Sequence, residues 1–102
     1  MVNEVRIASA SDLSPGEMRG YEIGESRILL ANIEGQFYAM DGICGHAMAD
    51  LDEGDLNGKN VLCPFHASEF DVTTGRYIDG PSGEDQKTYT VNVKNGEIFV
   101  EI

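Results

Sequence analysis

Residues 44–66 of the sequence read CGHAMADLDEGDLNGKNVLCPFH. This stretch contains both cysteines and both histidines of the chain, as C-G-H at 44–46 and, after 16 intervening residues, C-P-F-H at 63–66. Gly45 and Pro64 favour tight turns, which bring the thiol and the imidazole of each motif close together. Two such loops facing each other supply two sulfur and two nitrogen ligands, so the stretch predicts a metal centre.

The residue types alone leave open which metal the predicted centre binds. A lone cysteine usually packs as a small apolar side chain, but here each of the two short motifs pairs one cysteine with one histidine. A structural zinc site with two thiolate and two imidazole ligands is one interpretation. Common zinc fingers have the order Cys-Cys-His-His, however, and the order Cys-His-Cys-His does not fit them. A disulfide between the two cysteines is disfavoured in a reducing cytoplasm.

The segments on both sides have the alternating hydrophobicity of β-strands. Asn95-Gly96 is the strongest two-residue signal for a type I′ hairpin turn, and Glu34-Gly35 also reads as a hairpin turn. No window shows a long amphipathic helix, so we predict an antiparallel all-β sandwich or barrel. The expected strands are 5–7, 18–23, 27–33, 36–40, 60–62, 69–72, 89–94 and 97–102, with one helical turn at 9–13.

The middle of the chain differs from its ends. Residues 42–82 are rich in Gly, Asp and Asn and contain only short strands. We predict one domain, 1–102, in which 1–41 and 83–102 form a β-sheet base and 42–82 form a small inserted subdomain. Residues 54–58 are interpreted as turns rather than as a phosphate-binding loop.

The charge balance restricts the partners. The 18 acidic and 7 basic residues give a net charge of −11, which repels nucleic acids and anionic membranes. This charge serves solubility, and it also suits a partner with a basic docking patch. The first ten residues lack the features of a signal peptide, and no stretch approaches the ~20 apolar residues of a membrane span. We therefore expect a cytoplasmic protein.

Charged residues near the two motifs allow two interpretations. The acidic residues that follow the first motif predict a solvated loop, or a docking face next to the metal centre. Arg76 is the conspicuous basic residue near the second motif, and we interpret it as a surface residue or a partner contact. The acidic residues in question are Asp50, Asp52, Glu53 and Asp55.

The spacing C-x-H, 16 residues, C-x-x-H resembles the signature of Rieske proteins. Phe70-Asp71, Thr74-Gly75 and the closing hairpin extend the resemblance over nearly the whole chain. It implies a Rieske-like antiparallel β-sandwich with an inserted cluster-binding subdomain, and one [2Fe–2S] cluster as the cofactor. The implied ligands are Cys44 and Cys63 on one iron and His46 and His66 on the other.

The resemblance also implies which residues surround the cluster. Ser68 occupies the position of a serine that donates a hydrogen bond to a cluster sulfur, whereas Phe70 stands where high-potential relatives have a tyrosine. Pro81 belongs to a proline-containing loop that covers the cluster. Ala49 and Phe65 stand where those relatives have two disulfide-bonded cysteines. With fewer hydrogen bonds and an acidic chain, we predict a potential in the lower part of the Rieske range, about −150 to +300 mV.

The sequence argues against a self-contained enzyme. After the cluster is built, no histidine remains for a mononuclear iron site, and no GxGxxG motif is present for a nucleotide cofactor. The chain is similar to ferredoxin components of aromatic-ring dioxygenases, which implies one-electron transfer from a flavin-dependent reductase to a terminal oxygenase. The alternatives are a small subunit of a nitrite-reductase-like enzyme and a zinc-stabilised interaction module.

Overall fold

The structure is a computed structural model that describes residues 3–43, 50–64, 68–80 and 83–102. Within these ranges the strands form three sheets, in the orders β1-β11-β10, β2-β3-β4-β9 and β5-β6-β7-β8, and all pairings are antiparallel. The prediction of an antiparallel all-β fold is confirmed. The strands are β1 (Glu4–Ser9), β2 (Met18–Ile23), β3 (Ser26–Ile33), β4 (Gln36–Asp41), β5 (Asp55–Asn57), β6 (Asn60–Leu62), β7 (Glu69–Asp71), β8 (Tyr77–Asp79), β9 (Thr88–Tyr89), β10 (Val91–Lys94) and β11 (Glu97–Glu101), with 3₁₀ turns at Ala10–Asp12 and Leu51–Glu53.

The sheet β2-β3-β4-β9, here called the central sheet, has buried side chains on both of its faces, contributed by β3 and β4. Successive side chains of a strand point to opposite faces, so Leu29 and Ala31 of β3 lie on one side and Ile28 and Leu30 on the other. All four are fully buried, and they belong to two separate apolar clusters. The continuous apolar run of β3 is explained by this burial on both sides.

The first cluster joins the central sheet to the sheet formed by the two ends of the chain. Ala8 of β1 and Ile98 and Val100 of β11 pack against Ile28 and Leu30. Strands β1 and β11 pair directly. Their pairing continues to the ends through mutual backbone hydrogen bonds between residues 3 and 102, at 2.8 and 3.3 Å. The N- and C-terminal segments therefore close one outer sheet together.

The second cluster joins the other face of the central sheet to the sheet β5-β6-β7-β8. Val61, Phe70 and Val72 pack against Leu29 and against Met40 of β4. All four strands of this sheet fall within the predicted insert 42–82, whose bounds stay a prediction. The insert shares its core with the central sheet, so the two parts are packed as one body.

The turns follow the sequence closely. Asn95 and Gly96 have φ of 52° and 75°, as the predicted type I′ turn requires, and Glu34-Gly35 also has positive φ at both residues. Two expectations are corrected. Residues 54–58 are more than turns, because β5 lies inside them and pairs with β6. The predicted strand 89–94 is divided, since β9 pairs with β4 and β10 pairs with β11.

Among the described residues, no helix has the length and hydrophobicity needed to cross a lipid bilayer.

Glu34 provides a test of the turn geometry. Its φ of 55° is unfavourable for a residue with a Cβ, and asparagine tolerates this conformation better. We predict that Glu34→Asn raises the free energy of unfolding by about 0.5–1 kcal/mol in urea denaturation. Glu25→Asn is the matched control, because Glu25 is an exposed turn glutamate without positive φ. Equal effects of the two substitutions would contradict the prediction.

Candidate metal centre

The second motif begins at the end of β6. Cys63 is only 3% exposed and belongs to the apolar cluster beneath the central sheet. Its backbone N–H donates to the carbonyl of Ser68 at 2.8 Å, and Leu62 pairs with Glu69 just below. Strands β6 and β7 thus form a hairpin stem, with Cys63 and Ser68 facing each other at the base of the second loop.

The first motif also stands on a paired stem. Ile43 and Asp50 form an isolated antiparallel bridge, and Leu51 donates its N–H to the carbonyl of Gly42 at 2.8 Å. The segment 44–49, which connects the two sides of this stem, contains Cys44 and His46. The first loop is therefore closed at its base by backbone hydrogen bonds, like the second.

The two stems lie against each other. A Cβ at Gly54 would overlap the carbonyl oxygen of Leu62 and lie 3.2 Å from Cδ of Pro64, so only glycine permits this approach. Leu51 of the first stem and Cys63 of the second also belong to one apolar cluster. The central sheet and this shared cluster therefore bring the bases of both loops together.

The structure places three of the seven predicted site residues. Cys63, Ser68 and Phe70 are buried between β6, β7 and the central sheet. Within residues 3–43, 50–64, 68–80 and 83–102, no three His, Cys, Asp or Glu side chains are arranged so that they could hold a metal ion. The remaining predicted site residues lie outside the described residues, as do the positions compared with the disulfide cysteines of high-potential relatives: Cys44, His46, His66, Pro81, Ala49 and Phe65.

Hydrogen bonds from Tyr77 of β8 hold the chain before and after the segment that contains Pro81. The Tyr77 hydroxyl donates to the carbonyl of Gly80, and the Tyr77 N–H donates to Oδ1 of Asp85 at 2.8 Å. The Tyr77 ring also packs edge-on against Phe70, with 6.3 Å between the ring centroids. Phe70 of β7, the strand that follows the second loop, therefore contacts Tyr77, the residue that holds the proline-containing segment.

Gln86 is a site residue that sequence reasoning missed. Its side-chain amide donates to the carbonyl of Ile43 at 2.7 Å and to that of Asp41 at 3.3 Å. Its backbone N–H donates to the carbonyl of Gly75 at 2.7 Å. Gln86 joins the stem of the first loop to the turn after β7, and its partner Ile43 is 43 positions away, so no local pattern marks it.

The acidic residues after the first motif do not all behave as a solvated loop. Glu53 and Asp55 are exposed, as expected. Asp50 and Asp52, by contrast, form ion pairs with Arg27 of β3, at 3.4 and 3.1 Å. Asp52, whose side chain is 17% exposed, therefore differs from the expected solvated loop, whereas the side chain of Asp50 is still 38% exposed. Their cationic partner lies more than 20 residues upstream.

Asp71 fixes the turn that follows β7. Burial opposes its ionisation, but hydrogen bonds from the Thr73 hydroxyl and N–H, at 2.6 and 2.9 Å, hold its pKa below the usual range together with Lys59 at 3.2 Å. The chain turns at residues 72–74, and the cause is an aspartate whose carboxylate accepts the backbone N–H two residues on.

Tyr89 supports the other side of the first stem. Its hydroxyl donates to Oδ1 of Asp41 at 2.6 Å, and the Lys87 ammonium lies 5.0 Å from the ring centroid. Burial and the adjacent Asp41 carboxylate outweigh an opposing hydrogen bond from Ser26 and raise the pKa of Tyr89 to about 12. The hydrogen bond from Tyr89 therefore fixes the Asp41 carboxylate, which lies two residues before Ile43 of the first stem.

The described residues form a small all-β fold with two adjacent loop stems, at which the two Cys-His motifs of the sequence begin. The sequence profile of the Rieske [2Fe-2S] domain matches residues 3–90. The chain therefore belongs to the Rieske [2Fe-2S] domain family.

Individual relatives agree with this assignment. The chain is 33% identical over 100 residues to the ferredoxin component of the naphthalene 1,2-dioxygenase/salicylate 5-hydroxylase systems of Ralstonia sp., covering 98% of this chain and 96% of the relative. The ferredoxin of carbazole 1,9a-dioxygenase from Nocardioides aromaticivorans IC177 superposes with a TM-score of 0.91 at 30% identity, covering 96% of each chain. A chain from a complex of reduced oxygenase and oxidised ferredoxin in carbazole 1,9a-dioxygenase gives 0.90 at 35% identity, covering 95% of this chain and 91% of that one.

The chain is an electron-transfer protein that holds one Rieske-type [2Fe–2S] cluster, as predicted. The described residues fit this cofactor, because Cys63 places a thiol, the soft ligand that iron–sulfur clusters require, at the junction of the two stems. When bound, the cluster accepts and releases one electron at a time. The polypeptide supplies the stems, the buried surroundings and the hydrogen bonds that orient the loops.

The pKa of Tyr89 gives a direct test of the first stem. We predict that one tyrosine ionises near pH 12 in a spectrophotometric titration and that Tyr89→Phe removes this component. Since the pKa in the unfolded chain is about 10, the protonated phenol stabilises the fold fully below pH 10, and this contribution is lost as the pH rises toward 12.

The substitution should also cost about 1 kcal/mol of folding stability at neutral pH, for the lost hydrogen bond. Tyr38→Phe is the control, since the Tyr38 hydroxyl bonds Gln36 on the exposed surface. A component near pH 12 that survives Tyr89→Phe would contradict the assignment.

Proposed function

We propose that the chain carries single electrons from a flavin-dependent reductase to a terminal oxygenase. The observation that supports this proposal is the pair of adjacent loop stems in a member of the Rieske family, since the two Cys-His motifs begin at these stems in the sequence. A carrier of one electron needs a single cluster near the surface and no substrate pocket at that cluster.

Four residues are proposed as the cluster ligands. Cys63 lies at the junction of the stems, and the other three lie in the two loops that these stems support. Two thiolates on one iron and two imidazoles on the other leave the oxidised cluster less negative than four thiolates would, which raises its potential. The assignment is Cys44 and Cys63 to one iron, and His46 and His66 to the other.

The division into two parts accompanies this assignment. We propose residues 42–82 as the cluster-binding subdomain and residues 1–41 and 83–102 as its base. The location of β5–β8 supports this division, because the whole third sheet lies between Asp55 and Asp79. The base then acts as the rigid platform on which the loops stand.

The proposed partners follow from the relatives and from the charge. The matched relatives are named as components of dioxygenase systems, and one matched structure is a ferredoxin–oxygenase complex. A net charge of −11 favours partners whose docking patch is basic, because opposite charges accelerate encounter. In this proposal the electron transfer takes place in the cytoplasm, and neither a nucleic acid nor a membrane is a partner.

A chemical and spectroscopic experiment tests the function. The protein should be purified without added metal and assayed for iron, acid-labile sulfide and zinc, then reduced and examined by electron paramagnetic resonance. We expect about two irons and two sulfides per chain and a Rieske-type signal from the reduced protein. A colourless zinc protein without labile sulfide would overturn the proposal in favour of an interaction module.

The transfer step is tested with purified components. A flavin-dependent reductase and a terminal oxygenase from a dioxygenase system should turn over substrate only when this chain is present. The rate should fall as salt is raised, since docking between opposite charges is screened. Reduction by the reductase without onward transfer to any oxygenase tested would contradict the proposed acceptor.

Ser68 tests the surroundings of the cluster. Its side chain is fully buried beside Cys63. If its hydroxyl stabilises the reduced cluster, Ser68→Ala should lower the reduction potential by roughly 20–65 mV, which corresponds to one hydrogen bond of ~0.5–1.5 kcal/mol. Ser14→Ala is the matched control at an exposed site, and its potential should stay unchanged. Identical potentials for all three proteins would refute the hydrogen bond.

A further inference from the structure

Arg27 is a charged residue at the start of the strand that forms the buried centre of the fold. Its side chain is 24% exposed. One guanidinium nitrogen, Nη2, lies 3.1 Å from both carboxylate oxygens of Asp52, and Nε lies 3.4 Å from Oδ1 of Asp50. A third carboxylate, Glu22 of β2, lies 3.5 Å from Nη1. One cation is thus shared by three acidic side chains.

Two glycines make room for this arrangement. A Cβ at Gly20 would lie 2.5 Å from Oδ1 of Asp52 and 2.6 Å from Nη2 of Arg27. A Cβ at Gly42 would lie 2.9 Å from Cγ of Arg27. The arginine is therefore packed against bare backbone along its length, unlike a mobile surface side chain.

Arg27 contacts both sides of the first loop. Its backbone carbonyl accepts the N–H of Gly42 at 2.8 Å, on the side that leads into Cys44. Its guanidinium binds Asp50 and Asp52, on the side where the chain returns after residues 44–49. One residue of the central sheet therefore contacts both sides of the stem of this loop.

The three carboxylates are not equivalent. The side chain of Asp52 is 17% exposed and that of Asp50 is 38% exposed, whereas that of Glu22 is 77% exposed. Water and salt screen the contact to Glu22 most strongly, and such exposed pairs contribute little. The paired contact to Asp52 is the most protected of the three, and two hydrogen bonds from one nitrogen fix its direction.

We propose that Arg27 is a positioning residue of the cluster, which fixes the loop that carries Cys44 and His46 through its contacts to Gly42, Asp50 and Asp52. The proposal rests on the proposed ligand assignment. It predicts that the geometry and retention of the cluster depend on the arginine and on Asp52, although neither is a ligand.

A matched pair of substitutions separates positioning from charge. Asp52→Asn and Glu22→Gln each remove one negative charge from a carboxylate next to the same guanidinium. If only charge matters, both should raise the reduction potential, Glu22→Gln less because its charge is more strongly screened, and both should leave the line shape of the paramagnetic resonance signal unchanged. If Arg27 positions the loop, Asp52→Asn alters the line shape and speeds cluster loss to a chelator, while Glu22→Gln does neither.

Substitution of the arginine itself completes the experiment. Arg27→Met should lose its cluster to a chelator about tenfold faster or more, comparable with the removal of residues that orient metal ligands elsewhere. Arg27→Lys keeps the charge, but an ammonium lacks the planar fork, so retention should be restored only in part. Full restoration by lysine would overturn the positioning role.

The outcomes also distinguish this proposal from the proposed function. If the unaltered protein binds no [2Fe–2S] cluster, the proposed function fails. If the unaltered protein binds it normally, and Asp52→Asn and Arg27→Met keep its line shape and its rate of cluster loss, only the role of Arg27 fails. Circular dichroism of each variant confirms that the β-sheets are folded, and Asp52→Asn provides the milder test if Arg27→Met does not fold.

Discussion

The burial of both faces of β3 is the constraint on which the remaining structure depends. Leu29 and Leu30 are neighbours in the chain but belong to different apolar clusters. Each such side chain contributes about 1.5–3 kcal/mol when it leaves water, so neither face can be uncovered without a large loss of stability. The two outer sheets are therefore held on opposite sides of β3. The positions of the loop stems depend on this packing.

The polar contacts of the site act in addition to the packing of this apolar core. Backbone bridges close each loop at its base, and side chains from distant segments also contact the first stem: Gln86 from the C-terminal part and Arg27 from β3. These contacts add little to the overall fold compared with the core. Their effect is local, because each restrains a backbone atom or a carboxylate next to a ligand motif. A cofactor site that is supported in this way keeps its geometry as its charge changes.

The sequence predicted the features that local chemistry determines. Strands β2 and β6 have the predicted bounds, because alternation and flanking turns define them. The Asn95-Gly96 turn is also correct, since few residue pairs accept positive φ twice. Strand β8 was missed because Tyr77–Asp79 is too short to show a period and has two exposed residues. The role of Arg27 was missed for a different reason: its partners come from other strands and turns, and only the folded chain brings them together.

The pairing of residues 3 and 102 has a practical consequence for attaching the protein to other objects. Both flank strands of the sheet β1-β11-β10, and the central sheet separates this sheet from the sheet β5-β6-β7-β8. A tether to an electrode, or a fused reporter joined at residue 102, would occupy the side of the molecule opposite the sheet β5-β6-β7-β8. Attachment at residue 102 thus leaves the face formed by β5–β8 accessible to a redox partner.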